Sequence, residues 1–98
     1  MKTVMVRYTV KPDRAAENTR YIEQVFTQLA EQKPAGVRYT AYTLDDGVSF
    51  VHVASHEGDG ANPLTQLPAF KAFTAGIKER CEVQPVTSPL SIVGSYGA

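Results

Sequence analysis

Apolar and polar side chains alternate over the first ten positions of the chain. Val4, Val6, Tyr8 and Val10 occupy one side of this segment, and Thr3, Met5, Arg7 and Thr9 occupy the other. A period of two residues is typical of a β-strand, because successive side chains of an extended backbone point to opposite faces. The pattern therefore predicts a first strand over residues 3–10.

A helical period replaces this alternation after Pro12, a residue that helices accept in their first turn. Apolar pairs recur at 21–22, 25–26 and 29–30, which places them on one side of a helix. Pro34 and Gly36 then interrupt the pattern. We predict a helix over residues 13–32.

Two neighbouring strands and a second helix are predicted in the rest of the chain. Segments 37–44 and 48–56 flank Asp45-Asp46-Gly47, which is a strong hairpin signal. After a glycine-containing loop over 57–63, apolar residues at helical spacing mark a helix that is broken near Pro68: Leu64, Leu67, Phe70, Phe73 and Ile77. Residues 83–86 predict a last strand. The apolar tail over 90–96 is expected either to extend the sheet or to cross to a partner subunit.

The order strand, helix, strand, strand, helix, strand predicts an α+β fold of the ferredoxin-like βαββαβ type. This fold has a four-stranded antiparallel sheet with both helices on one face. The third strand is apolar on both sides, with Phe50 and Ala54 on one face and Val51 and Val53 on the other. We therefore expect a single domain over residues 1–98 whose bare sheet face packs against a second copy, as in a dimeric α/β barrel.

Composition excludes several classes of partner. Ten acidic and ten basic side chains balance to a net charge of zero, so we predict no nucleic acid partner and no anionic membrane partner. No apolar run approaches the roughly 20 residues of a membrane-spanning helix, and the N-terminus passes straight into the strand pattern, so a cytoplasmic location is expected. The single cysteine, Cys81, cannot form an internal disulfide and lacks companions at metal-finger spacing.

Three segments resemble the antibiotic-biosynthesis-monooxygenase family of the dimeric α/β-barrel superfamily. They are Val10-Lys11-Pro12-Asp13, the strand Phe50-Val51-His52-Val53-Ala54-Ser55-His56-Glu57, and Leu67-Pro68-Ala69-Phe70-Lys71-Ala72-Phe73. The resemblance covers nearly the whole chain and implies a homodimer. It also implies cofactor-free oxygenase chemistry on polyaromatic phenols, or haem handling in one branch of the family.

The chain departs from the family pattern at positions that matter for chemistry. Ala54 stands where a glutamate is usual, His56 where a tryptophan is usual, and Ala69 where the second helix usually carries a histidine. The chain contains no tryptophan. Haem is therefore not expected, and we predict no cofactor.

The hairpin register predicts a candidate catalytic pair. If Asp46-Gly47 is a two-residue turn, Ala41 pairs with His52, Tyr39 with Ala54, and Val37 with His56. Tyr39, His52 and His56 then share one face, where a phenol beside imidazoles can transfer protons near neutral pH. In the alternative interpretation, Tyr39 packs at an interface, His52 satisfies a hydrogen bond in the core and His56 is solvated.

Other side chains are predicted to complete a binding site. Asn62 or Arg38 could stabilise an oxyanion, although Arg38 is on the opposite face of the hairpin and could equally be a rim charge or part of an interface. Phe50 and Phe70 are predicted to contact a ligand. We expect no metal site, because His52 and His56 are four residues apart on an extended strand, a separation of about 13 Å.

Two functions remain open from the sequence. In the first, the protein is a cofactor-independent monooxygenase or isomerase that acts on a small aromatic or quinone-type molecule in an apolar pocket. His52 and Tyr39 are then the candidate catalytic residues. In the second, it is a non-catalytic small-molecule-binding or stress-related dimeric barrel. Either function is compatible with a homodimer or a higher oligomer, and the sequence identifies no substrate.

Overall fold

A computed structural model describes residues 2–97 of the chain. The strands are β1 (Lys2–Val10), β2 (Val37–Thr43), β3 (Ser49–His56) and β4 (Cys81–Leu90), and the helices are α1 (Ala15–Gln32), α2 (Pro68–Ala75) and the single turn α3 (Ile77–Arg80). Short 3-10 turns over Pro12–Arg14 and Pro63–Gln66 precede α1 and α2. The predicted break at Pro68 is confirmed, because α2 begins at this proline.

The four strands form one antiparallel sheet in the order β2-β3-β1-β4. Helices α1 and α2 contact each other, and their apolar side chains share one core cluster with residues of the central strands. This core includes Tyr8, Val10 and Phe50 from the sheet and Val25 and Phe73 from the helices. The predicted α+β fold of ferredoxin-like topology is therefore confirmed for the single chain.

The last strand is longer than the sequence pattern indicates. It spans Cys81–Leu90 instead of 83–86, although it contains Pro85 and Pro89. Proline cannot donate a ladder hydrogen bond, but an edge strand tolerates it where its backbone nitrogen faces away from the sheet. Pairing with β1 on one side therefore extends β4 past both prolines. Residues 91–97 have no regular secondary structure, so the tail does not extend the sheet beyond Leu90, and its crossing to a partner subunit stays a prediction.

The β2–β3 hairpin has the predicted register but a longer turn. Tyr39 pairs with Ala54 and Ala41 pairs with His52, as expected. The loop contains four residues, 45–48, because the backbone N–H of Leu44 donates to the carbonyl of Ser49 over 2.9 Å. A four-residue loop with the same midpoint as the predicted two-residue turn leaves the register unchanged.

Candidate ligand-binding site

A cavity of about 430 Å³ lies between the inner face of the sheet and helix α2 with its preceding turn. Its walls are mainly apolar, and they include Val4, Val6, Ala54, Leu64, Phe70 and Phe73. Polar side chains interrupt this apolar surface at Tyr8 on β1, His52 on β3 and Tyr39 on the edge strand β2. Ligand sites commonly combine an apolar wall with a few polar groups, and volumes of about 300–1,000 Å³ are usual.

His52 lies between two tyrosines at the sheet side of the cavity. Because β3 is flanked by β1 and β2, phenols from both neighbouring strands reach the imidazole. The Tyr8 hydroxyl lies 2.7 Å from Nε2 of His52, and the Tyr39 hydroxyl is hydrogen-bonded to Nδ1. Both ring nitrogens therefore have partners, which allows a side chain that is only 4% exposed to be buried.

Burial sets the protonation states of Tyr8, His52 and Tyr39, which we call the buried triad. Removal from water lowers the pKa of the His52 imidazole to about 4, because it penalises the charged form. The same effect raises the pKa of the Tyr8 and Tyr39 phenols above their ordinary value. At neutral pH the imidazole is therefore neutral and both phenols keep their protons.

Aromatic rings hold the triad in place. Phe26 stacks on Tyr39 with ring centroids 5.1 Å apart, and Phe73 stacks on His52 at 5.3 Å. Phe70 meets the Tyr39 ring edge-on at 6.4 Å. Such packing restricts the rotamers of the hydrogen-bonding groups, so their geometry is set before any ligand arrives.

Two further buried polar residues extend the hydrogen bonding from Tyr8. Nδ2 of Asn18 donates to the Tyr8 hydroxyl over 2.9 Å, and Nε of Arg80 donates to Oδ1 of Asn18 over 3.1 Å. Arg80 also donates through Nη2 to the carbonyl of Phe73 over 2.6 Å, and its guanidinium lies 4.6 Å from the centroid of the Tyr21 ring. The result is a continuous chain from Arg80 through Asn18, Tyr8 and His52 to Tyr39, which we call the polar chain.

Most of the predicted site residues line the cavity. These are Tyr39, His52, His56, Asn62 and Phe70. His56 and Asn62 have local hydrogen-bond partners, since Nε2 of His56 lies 3.0 Å from the carbonyl of Gly60 and Oδ1 of Asn62 accepts from the backbone N–H of Leu64 over 3.0 Å.

Two predicted binding residues lie outside the cavity wall. Arg38 is exposed on β2, at a position between two inward-facing residues, so its side chain belongs to the outer face of the sheet. Phe50 is buried in the core, where its ring stacks on Tyr8 with centroids 5.5 Å apart. Neither residue can therefore contact a ligand in this cavity directly.

Sequence reasoning missed Tyr8, Asn18 and Arg80 as members of the site. Tyr8 shares the apolar face of β1 with Val6 and Val10, a pattern that indicates a core residue and not a site residue. A signal existed for the other two: Asn18 lies on the same helical stripe as Ile22 and Val25, and Arg80 follows Phe73 at a spacing of seven residues. A polar residue on a buried apolar stripe needs a buried hydrogen-bond partner, and here Arg80 and Asn18 are hydrogen-bonded to each other.

Residues 2–97 show neither a metal-ligating cluster nor a helix that could span a membrane. This part of the chain has no group of three or more histidine, cysteine, aspartate or glutamate side chains placed to hold a metal ion. None of its helices is long and apolar enough to cross a membrane.

Similarity to known proteins is visible in structure but not in sequence. No protein-family model matches the chain, and no curated protein matches it. A structure named antibiotic biosynthesis monooxygenase superposes with a TM-score of 0.73 at 13% identity, covering 96% of this chain and 100% of the other. Rv0793 from Mycobacterium tuberculosis gives a TM-score of 0.74 at 17% identity, with 98% of each chain covered.

A mutant of SnoaB, a cofactor-independent oxygenase from Streptomyces nogalater, is similar at a TM-score of 0.70 and 19% identity, covering 96% of this chain and 94% of the other. Identities this low establish a shared fold and leave the reaction open. The resemblance predicted from the sequence is thus confirmed at the level of the fold, and this chain has the ferredoxin-like architecture of structures named antibiotic biosynthesis monooxygenases.

Proposed function

We propose that the cavity binds one small aromatic or quinone-type molecule and that the protein acts on it as a cofactor-independent oxygenase. The observation that carries this proposal is the apolar cavity whose sheet-side wall holds the hydrogen-bonded pair of Tyr39 and His52. A flat aromatic ring suits walls formed by Val6, Ala54 and Phe70, because stacking and apolar contact need no further polar groups.

The absence of a cofactor in the proposed reaction constrains the substrate. The ligand itself must supply the electrons that reduce dioxygen. In a balanced form, a ring CH₂ group and O₂ give a carbonyl group and water, so the carbon loses four electrons and dioxygen gains them. A ligand that can delocalise an oxyanion into its rings meets this requirement, since charge on the ring carbon favours attack on oxygen. An isomerase reaction would need only the proton transfer and no oxygen.

Tyr39 is the group that would meet the ligand. Both nitrogens of His52 are bonded to tyrosine hydroxyls, so its ring has no free nitrogen to offer the cavity. We therefore assign the ligand contact to Tyr39 and a positioning role to His52, which was predicted as a catalytic residue. His56, Asn62 and Phe70 are proposed as further binding residues because they line the same cavity.

A second candidate function is non-catalytic binding, and the state of His52 favours it. Burial lowers the pKa of this imidazole to about 4, which makes it a weak base at neutral pH. A small-molecule-binding or stress-related barrel would use the same cavity without turnover. The two candidates differ in whether the protein converts a bound ligand, and oxygen uptake distinguishes the proposed oxygenase from binding alone.

A homodimer is proposed for either function. The outer face of the sheet carries the exposed apolar side chains Tyr42, Val83 and Val86, and the tail adds Ile92, Val93 and Tyr96. Exposed apolar surface of this extent is typical of a protein–protein interface, and a second copy of the chain packed sheet to sheet would bury it. Assembly beyond the dimer and the cytoplasmic location remain predictions.

Thermal-shift screening with phenols, hydroquinones, anthrones and flat ketones, followed by oxygen uptake with each hit, tests the proposal. A ligand at a hundred times its dissociation constant should add about 2.7 kcal/mol of stability. Ala54→Leu should abolish the shift by filling the cavity, whereas Ala16→Leu on the exposed side of α1 should preserve it. Binding without oxygen uptake would favour the second function, and a ligand that binds the Ala54→Leu variant equally well would refute the assigned site.

A further inference from the structure

We infer that every hydrogen bond of the polar chain has the same direction, with each residue donating to the next one from Arg80 to Tyr39. The Tyr39 hydroxyl then points its own proton into the cavity as a hydrogen-bond donor. The site therefore selects ligands that carry an acceptor oxygen, such as a ketone, quinone carbonyl or phenolate. This inference rests on the proposed ligand site and names the ligand class for it. It assigns Arg80, Asn18 and Tyr8 as positioning residues that set the direction.

The direction begins at Arg80 because a guanidinium group has donors and no acceptor. Nε of Arg80 lies 3.1 Å from the side-chain amide of Asn18, so the atom of Asn18 that faces it must be the oxygen. The amide nitrogen of Asn18 therefore points at Tyr8 and donates to its hydroxyl over 2.9 Å. Both residues are fully buried, at 1% and 0% exposure, so water cannot replace either partner.

Tyr8 passes the direction on to His52. Its hydroxyl oxygen accepts from Asn18, and its own proton needs an acceptor because Tyr8 is only 1% exposed. Within residues 2–97, Nε2 of His52 is the acceptor at hydrogen-bond distance, 2.7 Å away. If Nε2 carried the proton instead, the Tyr8 hydroxyl would have two donors pointing at it and a buried proton without a partner.

The imidazole transmits the direction through its tautomer. A neutral histidine that accepts at Nε2 carries its proton on Nδ1, and Nδ1 then donates to the Tyr39 hydroxyl oxygen. Burial supports the neutral form, since it lowers the pKa of His52 to about 4. A doubly protonated ring would donate to both tyrosines, so Tyr8 could no longer donate to His52.

Tyr39 is the last member of the polar chain, and it lines the proposed ligand site together with Tyr8 and His52. Its oxygen already accepts from His52, and among residues 2–97 no group accepts its proton. The phenol stays protonated because burial raises its pKa. A ligand oxygen placed at this hydroxyl would receive a hydrogen bond, and negative charge that develops on that oxygen would be stabilised.

The consequence for the proposed oxygenase is that the polar chain stabilises an oxyanion and does not remove a proton. Accepting a proton at Tyr39 would require the whole sequence of donors to reverse, and Arg80 prevents that reversal at Asn18. Ligands that offer only a donor at this point gain nothing from the site. Ligands that offer a carbonyl or phenolate oxygen gain one hydrogen bond.

The tautomer of His52 tests the direction without any ligand. Nitrogen-15 NMR of the folded protein near neutral pH distinguishes a ring protonated on Nδ1 from one protonated on Nε2. We expect the Nδ1–H form in the wild type. In Asn18→Asp, a carboxylate would accept from Tyr8, the direction would reverse, and His52 should switch to the Nε2–H form. An Nε2–H ring in the wild type would overturn the inference even if the variant did not fold.

Three ring compounds of one shape test the selectivity. Fluorenone offers an acceptor, carbazole a donor, and fluorene neither. In the wild type, fluorenone should bind about tenfold more tightly than fluorene, and carbazole no more tightly than fluorene. Tyr39→Phe should remove the preference, and Asn18→Asp should transfer it to carbazole.

Each remaining result of that comparison has a defined meaning. Equal binding of all three compounds to the wild type would overturn the selectivity while leaving the proposed ligand site intact. A preference for fluorenone that persists in Tyr39→Phe would overturn the assignment of Tyr39. Failure of every aromatic compound to bind would overturn the proposed function and the selectivity together, and the His52 tautomer would still decide the direction of the polar chain.

Discussion

Arg80 donates a hydrogen bond of 3.1 Å to Asn18, a residue 62 positions earlier in the chain, and so connects the end of α3 to the first turn of α1. Both side chains are buried. Within residues 2–97, no carboxylate lies within ion-pair distance of Arg80, and its charge is instead balanced by the carbonyl of Phe73 and the faces of two aromatic rings. This buried cation therefore stabilises the packing of both helices.

Arg80→Met should lower the free energy of unfolding by roughly 2–4 kcal/mol, because it leaves the oxygen of Asn18 and the carbonyl of Phe73 without their charged donor. Urea unfolding followed by circular dichroism measures the effect. Arg20→Met on the exposed side of α1 is the matched control and should change stability by less than about 0.5 kcal/mol. Equal losses of stability in both variants would contradict the burial and hydrogen bonding assigned to Arg80.

The buried state of His52 should make stability depend on pH in a defined window. The pKa of this imidazole is about 4 in the folded protein, against 6.5 in the unfolded chain. Above pH 6.5 both states are neutral. As the pH falls from 6.5 towards 4, the unfolded chain binds a proton that the folded protein does not, so stability is lost over that window. The full difference corresponds to roughly 3 kcal/mol.

His52→Gln isolates this contribution from that of other groups. Glutamine can bond to both tyrosines and does not titrate, so the variant should lose less stability than the wild type between pH 7 and pH 4.5. Urea midpoints across that range provide the comparison. Parallel curves for the two proteins would mean that His52 binds its proton with the same pKa in the folded and unfolded states, which would contradict the effect of its burial.

The side chain of Asp46 should stabilise the β2–β3 loop. Its Oδ1 accepts from the backbone N–H groups of Val48 and Ser49, and its Oδ2 accepts from the Ser49 hydroxyl over 2.6 Å. These bonds lower the pKa of the Asp46 carboxyl, so its contribution is lost as the pH falls through that lowered value.

Asp46→Ala should therefore lower the melting temperature at neutral pH. The adjacent Asp45→Ala should leave it almost unchanged, because Asp45 is exposed and its side chain has no hydrogen-bond partner within residues 2–97. Differential scanning calorimetry of both variants tests the difference. A larger loss in Asp45→Ala would contradict the assigned loop geometry.

The outer face of the sheet is expected to be the dimer interface. Val53 lies there on central strand β3, paired with Met5 on β1 and Thr40 on β2. Val53→Lys should convert the dimer to a monomer, because it would bury a charge against its own copy across a symmetric interface. Analytical ultracentrifugation measures the change, with Thr19→Lys on exposed α1 as the control. A monomeric wild type would contradict the proposed assembly.

Local sequence patterns predicted most of the fold, and in the site they predicted that Tyr39 and His52 lie side by side. The alternation in β1 and the helical stripe of α1 are periodicities of a single segment, so neighbouring residues suffice to identify them. The pairing of Tyr39 with Ala54 and of Ala41 with His52 followed from the midpoint of the turn, and it held although the loop is longer than expected. A hairpin register depends on that midpoint and on which face is buried.

The amino-acid sequence by itself determined the order of elements, the hairpin register and the shared face of Tyr39, His52 and His56. Only the tertiary structure decided that β4 continues past Pro85 and Pro89, because an edge strand is extended by its partner and not by its own residues. The tertiary structure also brought Arg80 and Asn18 to Tyr8. Arg80 comes from a segment 62 residues after Asn18, and burying each of these polar groups without its partners would cost free energy, so the hydrogen bonds hold the three elements together.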